Sequence, residues 1–272
     1  MTDEGGSVSR RTLLLGGGGL AVLAAGGAAG WALLPRQYKL RLGLGPDPYV
    51  PDSPEGQVRL ETVTSRARGQ EVELFTAVPA GHADGAGLPV VVILHGRSAT
   101  AADFSSFGFG HFVTAAVERG APPFVLAGAD GGENYWEPDG DDDPRAMVLD
   151  ELPAWLAQRG FDADSRVLWG WSMGGYGALR IAELEPGWAS AVAAFSPAVN
   201  VGDAVFDGVD ALGPTPLAVW CGEDDPFAPA VDALLDALPQ PPELVSLGAG
   251  EHSRVYWNDQ TLEAFDWLSG QF

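Results

Sequence analysis

The chain has a single cysteine, Cys221, among 272 residues. One thiol excludes an intramolecular disulfide, a CxxC redox pair and a cysteine-based zinc site. Basic residues are also scarce: 15 Lys and Arg stand against 37 Asp and Glu, a net charge of −22. That balance argues against nucleic acid as a partner, because phosphate binding needs a basic face. It argues equally against an anionic membrane surface as a docking site for the body. Only four histidines are present, so any search for a general base is short. No internal repeat is visible. Charged residues make up only 19% against 46% hydrophobic, so the chain is not of the disordered class and can bury a large core. The length fits one α/β domain with a tail.

The tail is the first 42 residues. Five of the 15 basic residues (Arg10, Arg11, Arg36, Lys39, Arg41) and two of the 37 acids (Asp3, Glu4) lie there, which leaves the rest at net −25. Ser9-Arg10-Arg11-Thr12-Leu13-Leu14 opens a run from Thr12 to Leu34 without a charged residue. Those 23 residues would span about 34 Å as a helix, enough for a bilayer. Paired arginines before an apolar, Gly- and Ala-rich run read as a twin-arginine export signal. The length suits both a removed signal and a retained anchor, and no clean Ala-x-Ala cleavage site is present. Residues 43–57 hold four prolines and read as an extended linker. The expected division is therefore 1–42 signal or anchor, 43–57 linker and 58–272 a folded domain. An exported protein, outside the cell, in its envelope or anchored facing outward, is the expected location.

In the body, Val58–Ser65 and Glu71–Val78 alternate around Arg68-Gly69-Gln70, predicting a hairpin. Val90–Leu94 is a short β-branched run of the kind found in strands buried on both faces. Phe124–Ala127, Val167–Gly170, Ala191–Phe195, Leu217–Cys221 and Leu244–Leu247 repeat it. Helical patterns lie between and after them, at Phe112–Glu118, Arg145–Gln158, Gly175–Glu185, Ala230–Leu238 and Leu262–Leu268. Alternation of this kind predicts an α/β fold: a mostly parallel eight-stranded sheet, two leading antiparallel strands and six parallel ones, with helices on both faces. The short stretch Val199–Pro214 leaves no room for a large lid domain.

Gly170-Trp171-Ser172-Met173-Gly174-Gly175 contains Gly-x-Ser-x-Gly. With 37 Gly and 14 Ser in the chain, chance alone gives about 0.26 such patterns, so the bare motif is weak. Its context is not: a strand precedes it and a helical pattern follows, the arrangement that presents a nucleophilic serine. A serine in so tight a turn needs neighbours without side chains, hence Gly170 and Gly174. The Met173 N–H at the helix start would then face a developing oxyanion.

In that arrangement the partners follow in the order serine, acid, histidine. His82, His95 and His111 precede Ser172, so His252 is the candidate base, in a loop after the last apolar strand. The orienting acid belongs in the turn after Leu217–Cys221. Glu223, Asp224 and Asp225 compete there; Asp225, in Gly-x-x-Asp-Pro, is preferred, with Asp224 next. The second oxyanion donor belongs to Leu94-His95-Gly96-Arg97-Ser98, with the Arg97 N–H favoured, Ser98 the alternative, and His95 read as a structural hydrogen-bonder.

At these residues the chain resembles the α/β-hydrolase superfamily, specifically its bacterial putative-esterase branch. That branch holds S-formylglutathione hydrolases, feruloyl esterases and secreted mycolyltransferases. Leu94-His95-Gly96, Glu151-Leu152-Pro153, the segment Gly170 to Ala178, Phe195-Ser196-Pro197, Gly250-Glu251-His252 and Tyr256-Trp257 carry the resemblance, over about Gln57 to Phe272. It implies a serine esterase or acyltransferase with a Ser172, Asp225, His252 triad, needing no metal or cofactor. The expected substrate is a small-molecule, lipid or carbohydrate ester, with membrane contact only through the N-terminal segment. Acyl transfer to a sugar or lipid alcohol uses the same acyl-enzyme, and a non-catalytic binding module on the same scaffold is the remaining alternative.

Tyr135 and Trp136, on the loop after the second parallel strand, and Trp171, beside the serine, are candidate pocket walls. Asp139 to Asp143 resembles a calcium loop, but Pro144 stands where the tight turn needs glycine, so a solvated acidic loop is expected. Cys221 is expected to be a small core residue.

Overall fold

The computed structural model describes residues 47–272. The twin-arginine motif and the apolar run after it lie outside the described residues. Eight strands form one sheet: β1 (Gln57–Ser65), β2 (Gln70–Val78), β3 (Pro89–Leu94), β4 (Val125–Ala129), β5 (Asp162–Trp171), β6 (Val192–Phe195), β7 (Leu217–Gly222) and β8 (Leu244–Gly248). Their spatial order is β1-β2-β4-β3-β5-β6-β7-β8. β1 and β2 pair antiparallel, β2 pairs antiparallel with β4, and all pairs among β3 to β8 are parallel. Only β2 therefore runs against the rest. The family of patterns read from the sequence, two leading strands and six parallel ones, is the sheet that forms.

The helices are α1 (Asp103–Phe107), α2 (Phe109–Glu118), α3 (Pro144–Ala146), α4 (Leu152–Gln158), α5 (Met173–Leu184), α6 (Ala204–Asp207), α7 (Ala228–Ala237) and α8 (Arg254–Leu268). Alternation along the strands divides the core between two faces. Val90, Val92, Leu94 and Leu168 pack with Met173, Leu179, Leu152, Met147 and Val231, from α5, the α3–α4 region and α7. Val91, Ile93, Val167 and Trp169 pack with Phe104, Phe109, Phe112 and Phe265, from α1, α2 and α8.

The structure differs from expectation locally, and α6, like α1, has no counterpart among the expected helices. The β1–β2 turn falls at Arg66–Gly69 rather than at Arg68–Gln70. The helix expected over Arg145–Gln158 is interrupted by a π-helical turn, Met147–Glu151. Pro153, in the first turn of α4, has no N–H to donate and crowds the carbonyl a turn back, so the ladder widens just before it. The helix expected to start at Leu262 begins at Arg254. α1 was not anticipated; Gly108, at φ 84°, ends it and turns the chain into α2.

The described part of the expected linker is bonded to the body. Asn258 Nδ2 donates to the Tyr49 carbonyl at 2.7 Å, and the Tyr49 ring meets Phe112 edge-on at 5.9 Å.

β3 is flanked by β4 on one side and β5 on the other. The helices that follow β3 and β5 pack on opposite faces of the sheet, which makes the carboxyl ends of these two strands its topological switch point. Ser172 follows β5 immediately.

Candidate active site

β5 enters the turn at Trp171, and α5 leaves it at Met173. Ser172 between them has φ 57° and ψ −121°, a left-handed conformation that costs a residue with a Cβ. Its backbone is held on both sides: its N–H donates to the Phe195 carbonyl at 2.8 Å, and its carbonyl accepts from Ala198 and Tyr176 at 3.0 and 3.1 Å. The flanking glycines have no alternative. A Cβ on Gly170 would lie 2.3 Å from the Gly174 carbonyl oxygen, and one on Gly174 would lie 2.0 Å from that of Leu94.

Ser172 Oγ is 2.8 Å from His252 Nε2, and His252 Nδ1 is 2.8 Å from Asp225 Oδ2. A buried carboxylate accepts, so Nδ1 carries the proton and Nε2 is left to accept from the serine hydroxyl. Asp225 is 3% exposed, whereas Glu223 and Asp224 face solvent. Of the three acids that compete in the sequence, Asp225 is the one that is buried and within hydrogen-bond distance of His252. Its other oxygen accepts from the Phe227 N–H at 2.9 Å, which leaves the carboxylate no freedom to swing away.

The imidazole lies between two rings. Trp257 stands perpendicular to it at 5.0 Å, and Phe227 is 5.1 Å away on a tilt. The Trp257 indole N–H donates to Ser196 Oγ at 3.0 Å. Phe227 was not singled out beforehand, although it ends the acidic turn that supplies Asp225.

Met173 opens α5, and the first N–H groups of a helix have no partner within it. The loop carrying Arg97 runs close by: a Cβ at Gly96 would lie 3.3 Å from Ser172 Cβ. The Arg97 side chain itself points outward, 62% exposed, with Nε 3.9 Å from Glu133 Oε2.

His95 is a structural hydrogen-bonder, as expected. Gly131 N–H donates to its Nε2 at 2.8 Å, which fixes the proton on Nδ1, facing the Gly96 carbonyl at 2.8 Å. Burial holds its pKa below the usual histidine range. A neutral imidazole with one tautomer thus ties the β3 loop to the β4 loop.

The candidate wall residues divide. Tyr135 is half-buried and meets Tyr176 edge-on at 5.5 Å. Trp136 is 1% exposed and does not wall an open pocket. Its indole donates to the His95 carbonyl at 3.2 Å and packs 5.0 Å from the His95 ring. A large apolar ring gains more from that enclosure than from a rim position. Trp171 is likewise buried, 3% exposed, beneath the serine among Phe104, Phe107 and Trp257.

Elsewhere the acidic loop is only partly solvated. Asp142 pairs with the nearly buried Arg68 at 2.7 Å, and Asp143 accepts from the Ala146 N–H at 2.8 Å to cap α3. Cys221 is buried, and burial pushes its thiol up to about 12.

A family model described as "Putative esterase" matches residues 65–268. No curated protein sequence matches the chain. Among solved structures, a ferulic acid esterase aligns with TM-score 0.70 at 17% identity, covering 79% of this chain and 98% of its own. The S-formylglutathione hydrolase from Agrobacterium tumefaciens aligns with TM-score 0.66 at 19% identity, covering 80% and 96%. A ferulic acid esterase from Anaeromyces mucronatus, solved with ferulic acid, aligns with TM-score 0.65 at 18% identity, covering 79% and 90%. At these identities the likeness is one of fold: the α/β-hydrolase architecture.

Proposed function

The chain belongs to the esterase family whose model it matches over residues 65–268, and from that premise we propose that it is a serine esterase working through an acyl-enzyme on Ser172. The observation that carries the reading is the unbroken hydrogen-bonded series from Ser172 Oγ through His252 to Asp225.

Ser172 Oγ attacks the ester carbonyl carbon as His252 Nε2 takes its proton. The resulting imidazolium keeps its Nδ1–H on Asp225, which stabilises the charge. The carbonyl oxygen becomes an oxyanion, held by the N–H groups of Met173 and Arg97; each such donor is worth roughly 3–4 kcal/mol of barrier. Collapse expels the alcohol, which receives the proton from His252. Water then attacks the acyl-enzyme with His252 again as base, releasing the acid and restoring the serine. No step calls on a metal or cofactor. Substrates are small-molecule esters, the chemistry of the ferulic acid esterase among the similar structures.

The sequence of residues 1–42 supports an exported enzyme, delivered by the twin-arginine route. Cell fractionation of the full chain and of an Arg10→Lys, Arg11→Lys variant checks this: the variant should stay in the cytoplasm.

The activity is tested with a panel of aryl esters of increasing acyl length, on wild type and Ser172→Ala. Wild type should turn over the panel and the variant should not. Equal rates for both would remove the proposal.

A further inference from the structure

Arg254 stands two residues after His252, and Trp171 stands one residue before Ser172. A single ring, that of Phe107, lies between them. The Arg254 guanidinium sits over the Phe107 ring, 4.9 Å from its centroid, and Nη2 donates to the Ser106 carbonyl at the end of α1. The same Phe107 ring is 4.6 Å from Trp171. It also stacks on Trp257 at 6.5 Å with planes 9° apart, and Trp257 meets the His252 imidazole. Asn258 Nδ2, one turn further along α8, donates to the Phe107 carbonyl at 3.0 Å.

The start of α8, which follows the base, is thus clamped onto the last residues of α1. Those residues in turn press on the strand end that presents the nucleophile. We propose that Arg254 is a positioning residue: by gripping the Phe107 ring and the Ser106 carbonyl it sets the spacing between the His252 loop and the Ser172 turn. This rests on the serine-esterase reading above.

The chemistry of the side chain separates this role from mere stabilisation. Arg254 Nε is buried without a hydrogen-bond partner, and burial disfavours the guanidinium charge. A buried donor left unmade costs stability. An apolar side chain of similar length would fill the same space without that cost. Arg254 thus carries a desolvation cost at Nε beside its contacts with the Phe107 ring and the Ser106 carbonyl.

The experiment compares Arg254→Met, Arg254→Lys and Phe107→Leu with wild type. It follows kcat and KM on an aryl ester, the labelling rate of Ser172 by a small fluorophosphonate, and thermal unfolding. Arg254→Met should lose about 10-fold in kcat and in labelling rate, since small misplacement of a reacting pair is costly, with KM changed less than about twofold. Its Tm should equal or exceed that of wild type. Arg254→Lys should recover most of the rate, because an ammonium can also sit over the ring. Phe107→Leu should lose a similar factor, and the double variant no more than either single one, because both act through one contact. A wild-type kcat in Arg254→Met would overturn the proposal. So would a rate loss that tracks a fall in Tm, or losses that add in the double variant. Should Arg254→Met not fold, the Lys and Leu variants decide by the same criteria. Absence of fluorophosphonate labelling in wild type would instead sink the esterase reading.

Discussion

His252 Nε2 and Ser172 Oγ lie 2.8 Å apart although 80 residues separate them in the chain. Two loops at the carboxyl edge of the parallel strands make the contact, and the distance is that of a hydrogen bond along which a proton can pass.

The acid should be identifiable by single substitutions. Asp225→Asn keeps shape but lets the wrong imidazole tautomer form, so kcat should fall by roughly 10³–10⁴. Asp224→Asn and Glu223→Gln, on solvent-facing neighbours, should change kcat less than about twofold. Steady-state kinetics on one aryl ester distinguishes the three.

Gly174→Ala should damage the fold rather than the chemistry alone. Its methyl would stand 2.0 Å from the Leu94 carbonyl oxygen, so backbone must move, and a loss of about 3 kcal/mol or more is expected. Gly248→Ala, where nothing lies within 4 Å, should unfold within about 0.5 kcal/mol of wild type. Denaturant titration measures both.

Glu151 closes the β1–β2 turn. Its carboxylate accepts from Ser65 Oγ at 2.6 Å and from the N–H groups of Arg66 and Ala67 at 2.9 and 3.3 Å. Glu151→Ala strands those donors, and a loss of about 2–4 kcal/mol is expected. Hydrogen exchange at Arg66 and Ala67 should quicken ahead of the rest of the sheet.

Stability should fall with rising pH because of Glu183. Burial raises its pKa from 4.5 to about 7. Between those values the folded chain holds a proton that the unfolded chain has released, so unfolding free energy decreases as pH climbs through that window. Glu183→Gln should flatten this dependence and raise Tm at pH 8 more than at pH 5, while Arg180 keeps Glu137 as its partner at 2.9 Å. Thermal melts of both proteins from pH 5 to 8 check the sign.

The parallel strands were legible because each carries a short apolar run, and β3 through β8 fall on those runs; the run is sealed on both faces except in β8, where Val245 and Leu247 stay exposed. The Gly-x-Ser-x-Gly turn was legible because sterics dictate its glycines. The start of α8 was not. The inward residues of its first turns include Asn258 and Thr261, both buried. Asn258 Nδ2 donates to the Tyr49 and Phe107 carbonyls and Thr261 Oγ1 to that of Trp257, so polar side chains hold the inward positions and no apolar period announces the helix. α1, with five residues, is too short for a period. Trp136 could not be separated from a pocket wall by type alone, since an aromatic after a parallel strand fits either place. Asp225 could be preferred but not fixed, because burial is a property of the folded turn and not of three adjacent acids.

The backbone at Ser172, with φ 57° and ψ −121°, suits glycine and penalises serine by about 1–3 kcal/mol. The fold therefore does not want the residue on which its proposed chemistry depends. A Ser172→Gly chain should be the sturdier molecule and an inert one.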